Sequence, residues 1–134
     1  MKKRQRSGTN MRETVLLINF QDEKQLRDLK MILFTLKIRM KKVEKKEYLQ
    51  QIGCLTGLKE MEAAAEHYEG EELEKEMMVF AGISNQKLDQ ILLAMRKNGV
   101  KRVDYKAVLT ETNKTWTVLK LYEEIAKEHE QMHK

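Results

Sequence analysis

The chain closes on the residues HEQMH, His129 to His133, which fit the H-E-x-x-H spacing of zinc sites. In such sites two histidines one helical turn apart hold the metal while the glutamate activates water. Here the motif stops one residue before Lys134, and the only other histidine, His67, lies in a run of glutamates. With no third ligand in prospect, the reading is an exposed helix end and no metal. Cys54, the lone cysteine, stands in IGCLTGL between Gly53 and Gly57, with no histidine or aspartate near it in sequence. A small buried apolar role is expected of it, and the glycines are expected to give bends or close backbone approach. No phosphate-loop or dinucleotide spacing accompanies them. No carboxylate pair or Ser-His-Asp set can be argued either, so no catalytic residue and no cofactor is expected.

The segment KAVLTETNKTW, Lys106 to Trp116, holds the more promising chemistry. Lys106 lies in the last predicted strand, Thr110 and Thr112 fall in the turn after it, and Asn113 is expected to open a helix. A cation, short polar groups and the free N–H groups of a helix N-terminus would then converge, an arrangement that holds carboxylate or phosphate. Lys106, Thr110, Thr112, Asn113 and Trp116 are therefore the expected ligand site for a small anion. The competing reading is structural: Thr112 or Asn113 caps the helix, and Trp116 packs over a sheet face.

The elements that must position these residues come as a repeat. VLLINFQDEKQLRDLKMILFTLKIRMKKV from Val15 is matched 62 positions later by MMVFAGISNQKLDQILLAMRKNGVKRVDY from Met77. Each copy runs from an apolar strand through a helix-start signal and an amphipathic stretch to a second strand with almost no loop before it. Strand one is expected over Val15 to Phe20, with Asp22 and Gln25 as a capping box and Leu26, Leu29, Leu33 and Leu36 on the inner helix face. In the second copy Met77 to Ala81 form the strand, Ser84 caps, Leu88, Ile91, Leu92 and Met95 face inward, and Asn98-Gly99 ends the helix. Ile38 and Met40 alternate with Arg39 and Lys41, and Val103, Tyr105 and Ala107 with Arg102, Asp104 and Lys106, as in strands with one wet face. A third helix is expected from about Asn113, its stripe running from Val118 to Met132.

Strands one and three are apolar on both faces and belong at the centre of a sheet, whereas the other two, carrying alternating charge, belong at its edges. The fold class is therefore α/β (α+β): a ferredoxin-like duplicated βαβ with a four-stranded sheet of order 4-1-3-2, a long mid-chain connection and an extra C-terminal helix. A small doubly wound parallel sheet, with a helix around Leu58 to His67, is the alternative. In the first case one apolar sheet face needs a cover from the third helix, the Glu44 to Lys75 connection, or a second copy of the chain.

With 134 residues, 41% hydrophobic and 35% charged, the sequence suits one domain over 13–134 with the repeats at 15–43 and 77–105. Residues 1–12 hold Lys2, Lys3, Arg4, Arg6 and Arg12 with no acid and read as a disordered basic tail. A net charge of +5 permits an anionic partner without requiring one. Six bases between Lys37 and Lys46 contrast with eight glutamates between Glu60 and Glu76, two blocks that read as solvated faces or as surfaces meeting across the fold or a subunit contact. The longest apolar run is too short for a membrane span and no signal peptide precedes it, so no membrane partner is expected and a reduced, cytoplasmic protein is.

Preceded by MMVFAGISNQKLDQILLAMRKNGV and followed by a helix with LYEE and KEHE, the segment KAVLTETNKTW resembles a bacterial family of small uncharacterised domains, known only as a domain of unknown function. Lys106, Thr110, Asn113 and Trp116 carry the resemblance, which spans the second half and reaches the first through IGCLTGL. It implies no activity. The expected function is a small interaction or regulatory module that pairs with itself or another protein and holds a small anionic ligand. The alternative is weak, sequence-indifferent nucleic-acid binding through Lys2, Lys3, Arg4, Arg6, Arg39 and Lys41, which lack the aromatic platform of an RNA reader.

Overall fold

Two apolar pentapeptides, TVLLI and MMVFA, form β1 (Thr14–Ile18) and β3 (Met77–Ala81), and every residue of both is buried. Strands with two apolar faces lose least when covered on both sides, which puts them at the sheet centre. They lie antiparallel, with Leu16 opposite Val79. β2 (Arg39–Val43) runs parallel beside β1 and β4 (Tyr105–Val108) parallel beside β3, giving the order β2-β1-β3-β4. This computed structural model describes residues 12–132. The expected basic tail with Lys2, Lys3, Arg4 and Arg6, and the terminal His133, lie outside the described residues.

The sheet is a duplicated βαβ with its first strands central and its second strands at the edges, compatible with a ferredoxin-like α+β fold. Its order nevertheless differs from 4-1-3-2. Strand composition tells centre from edge but not which edge strand borders which central one. Each edge strand here stays beside the central strand of its own half. In the first half three residues suffice for the return: Lys37 takes φ 61°, and the Ile38 N–H donates to the Leu33 carbonyl at 2.9 Å. The antiparallel centre also removes the all-parallel, doubly wound alternative.

Side chains alternate across β1 and β3 and so build two cores. Val15, Leu17, Met78 and Phe80 face α1 (Glu23–Thr35) and α3 (Asn85–Lys97), meeting Leu29, Leu33, Ile91 and Met95. Both helices start as expected: Asp22 accepts from the Gln25 N–H, and Ser84 accepts from the Lys87 N–H. Gln25 does not complete a capping box. Its amide is 3% exposed and donates to the Lys101 carbonyl at 3.1 Å, a strut between the two halves. Gly99, at φ 66°, ends α3 where a side chain would be strained.

Leu16, Ile18, Met77 and Val79 face the other way, and their cover comes from within the chain. α4 (Val118–Met132) contributes Val118 and Leu121, while the connection contributes Tyr48 and, from the single-turn α2 (Ile52–Leu55), Ile52 and Leu55. Fully burying one such side chain is worth about 1.5–3 kcal/mol. No second copy is needed to dry this face. The connection then runs extended over the core, held by reciprocal bonds between the Gln50 amide and the Ala64 backbone at 2.8 and 2.9 Å. The helix expected around Leu58 to His67 is not there: no apolar period selects it, and the Ala64 N–H and carbonyl are committed to Gln50. Further along, the Tyr48 hydroxyl donates to Glu72 at 2.6 Å; burial, with that carboxylate beside it, pushes the phenol well above the usual tyrosine range.

The two charge blocks touch through the backbone, where the Tyr68 N–H donates to the Lys46 carbonyl at 3.0 Å, but not through their charges. Lys41 pairs with Glu47 and Lys46 with Glu44, both locally, and among the described residues no ion pair joins the Lys37–Lys46 block to the Glu60–Glu76 run.

Candidate functional site

The Lys106 to Trp116 segment is built differently from its expectation. α4 begins at Val118, with Thr117 as its cap: the Lys120 N–H donates to the Thr117 hydroxyl at 3.1 Å. Asn113 lies in the turns before it, 8% exposed and fully engaged. Its Oδ1 accepts from the Thr110 N–H at 2.9 Å, its Nδ2 donates to the Val108 carbonyl at 3.0 Å, and its own N–H donates to the Thr110 hydroxyl at 3.1 Å. Thr110 and Asn113 thus staple the loop to itself. Thr112 points into solvent.

The same loop locks the connection in place. Its carbonyls at Trp116 and Lys114 each accept at 2.8 Å, from the Ile52 and Gly53 N–H groups that α2 leaves open at its start. Gly53 is required by this approach, since a Cβ there would stand 2.9 Å from the Lys114 oxygen. Trp116 packs half-buried on the α4 core with the Lys120 ammonium 5.5 Å from its ring centre. The alternation of β4 sends Lys106 to the opposite sheet face, because it pairs with Met78 whereas Ala107 pairs with Val79. Of the five expected ligand residues, side-chain bonds join only Thr110 and Asn113, and the Trp116 N–H donates to the Asn113 carbonyl at 3.0 Å.

On its own face Lys106 completes a cleft of about 410 Å3 with Leu92, Met95 and Arg96 from α3 and Val100, Arg102 and Val103 from the return loop. Four side chains are aliphatic or thioether and three are cations. The loop makes the cleft. Seven residues, 98–104, separate α3 from β4, against the three between α1 and β2. Val103 anchors the longer return at 1% exposure, leaving Lys101 and Arg102 exposed beside it.

Charge in the cleft is only partly offset. Lys106 donates to the Val103 carbonyl at 2.5 Å, and burial, reinforced by Arg102, holds its ammonium below the usual lysine range against a smaller opposing pull from Asp104. Arg102 Nε lies 3.0 Å from Asp104. Arg96 pairs with no acid among the described residues. Sequence reading missed Arg96 and Arg102; that Arg96 falls on the outer line of an amphipathic helix next to its C-cap was the available signal.

Elsewhere the expected residues are spent within the chain. Arg39 donates to the Thr14 hydroxyl at 3.2 Å and the Thr56 carbonyl at 3.0 Å, and Lys41 lies 3.3 Å from Glu47. Both border a hollow of about 360 Å3 that also meets Cys54, itself half-buried. His129 lies 3.0 Å from the Asp104 carbonyl with its ring against Tyr105, and His67 is exposed on the connection. Among the described residues no cluster of three or more His, Cys, Asp or Glu could hold a metal. No described helix is long and apolar enough to cross a membrane.

No curated protein and no solved structure matches the chain. Residues 76–132, from the start of β3 to the end of α4 and so including every residue of the cleft, match the family model described as Domain of unknown function (DUF3783).

Proposed function

We propose that this protein is a small interaction module that holds an anionic ligand with an apolar body in the cleft between α3 and β4. The observation that carries this reading is the meeting of Arg96, Arg102 and Lys106 around Leu92, Met95, Val100 and Val103. A cleft of this size suits a small organic ligand, its floor taking the apolar part and its cations the carboxylate or phosphate. Binding would relieve the repulsion between Arg102 and Lys106 and move the Lys106 ammonium back toward the usual lysine range. Occupancy would also bear on how the return loop lies, which is how a ligand signal could reach a partner. The lone Cys54 fits work in a reducing compartment such as the cytoplasm.

Support for the rival reading, weak nucleic-acid binding, is reduced by the internal bonds of Arg39 and Lys41 and falls back on Lys2, Lys3, Arg4 and Arg6. Amide NMR titration with benzoate, octanoate and phenyl phosphate tests the proposal. Shifts are expected within residues 92–106, with affinity falling about tenfold in Lys106→Ala, the scale of one charge-assisted bond. Trp116→Phe should bind as the parent does. No shifts in that region, or affinities indifferent to both Lys106→Ala and Arg102→Ala, would refute it.

A further inference from the structure

The outward face of α1 carries two large apolar side chains in the open: Phe34 is 80% and Met31 63% exposed. Around them stand Arg12, Arg27, Lys30 and Lys37, all exposed, none in an ion pair with a described acid. Arg27, Lys30, Met31 and Phe34 fall at helical spacing on one stripe, opposite the buried Leu29, Ile32 and Leu33. We propose that this stripe docks the protein peripherally on an anionic phospholipid bilayer, with the cations at the headgroups and Phe34 and Met31 between them.

Charge decides the occupant. The helical layer, 23–38 and 84–104, holds nine bases to four acids, whereas the connection across the opposite sheet face, 44–76, holds ten acids to four bases. A molecule so polarised turns its helices toward an anionic plane and its glutamates away from it. A second copy fits poorly. Stacking α1 on α1 would bring two sets of Arg27 and Lys30 into one contact with no acid on the stripe to offset them, and joining the basic face to the acidic one would be head-to-tail and would not close. A nucleic acid would find one aromatic where base stacking needs a platform. The absence of an expected membrane partner followed from the lack of a span, and a peripheral contact needs none.

The experiment is co-sedimentation of the full chain with phosphatidylcholine vesicles, with and without about 30% phosphatidylserine. Partition is expected only with phosphatidylserine. It should fall about tenfold in Met31→Ser with Phe34→Ser, vanish in Arg27→Glu with Lys30→Glu, and stay unchanged in Lys106→Ala, which separates this surface from the cleft. Circular dichroism confirms that the variants fold. As a second readout, Phe34→Trp in a Trp116→Phe background should shift its emission to the blue on phosphatidylserine vesicles. The proposal fails if the chain ignores those vesicles at low salt, or if the double serine variant partitions like the parent. It fails equally if Phe34→Ser weakens binding to a single-stranded oligonucleotide more than binding to vesicles, or if sedimentation without vesicles shows a stoichiometric dimer that the serine variants dissolve.

Discussion

The ends of α1 and α3 occupy matching places in the two halves, and their inner residues are interchangeable in kind: Leu29 answers Ile91 and Leu33 answers Met95, all in one core. Their surroundings are not. Phe34 stands bare where α3 has Arg96, and in the strand ladders Met40, opposite Val15, stands where Lys106 stands opposite Met78. The first half returns to the sheet in three residues and the second in seven. The repeat therefore dictates the core, where volume and hydrophobicity must match, while return length and a few surface positions decide whether a half carries a ridge or a charged cleft.

The strongest way to break this comparison is through the core. Leu29→Ala and Ile91→Ala, both at 0% exposure, should each cost about 2–5 kcal/mol in chemical denaturation and agree within about 1 kcal/mol. A near-neutral result at one of them would show that the two halves do not share the load. Asn113→Ala comes next: with its two side-chain bonds lost, to the Thr110 N–H and the Val108 carbonyl, stability should fall by about 1–3 kcal/mol while anion affinity in the cleft stays as it was. A loss of affinity without a loss of stability would return Asn113 to the ligand.

Lys106→Met gives the second half the residue of the first. Titration calorimetry should show anion affinity reduced about tenfold. The variant also has a pH signature. Folding holds Lys106 below its unfolded value of 10.5, so between the two values the unfolded chain binds more protons. Parent stability should therefore rise with pH across that alkaline interval relative to Lys106→Met, and anion affinity should fade there as the ammonium is lost. A parallel pH course for parent and variant would mean that Lys106 is ordinarily solvated. Smallest of all, Phe34→Arg, which copies Arg96 into the first half, should change stability by no more than about 0.5 kcal/mol, because an 80% exposed ring leaves no cavity.

Much of this fold was legible in order of residues. Unbroken apolar runs marked β1 and β3 as central, Asp22 and Ser84 announced the two helix starts, and Asn98-Gly99 announced an end, each through chemistry acting within a few residues. Boundaries that depend on remote partners were not. Asn113 and Thr117 are both plausible caps by type, and the choice fell to Thr117 because Asn113 is used by Thr110 and Val108, while Gln50 accepts from the Val118 N–H. Val103 was expected to share a strand face with Tyr105 and Ala107, yet it belongs to the α3 core, since the strand starts only at Tyr105.

The sequence by itself determined the two central strands, the two repeat helices and the faces they bury, because hydrophobic period and capping are properties of neighbours along the chain. Tertiary structure alone decided which edge strand joins which centre, since composition is the same for either order. It also set Lys106 and Trp116 on opposite faces and gathered Arg96, Arg102 and Lys106 into one cleft, because closeness across a sheet depends on register and loop length, which no local pattern records.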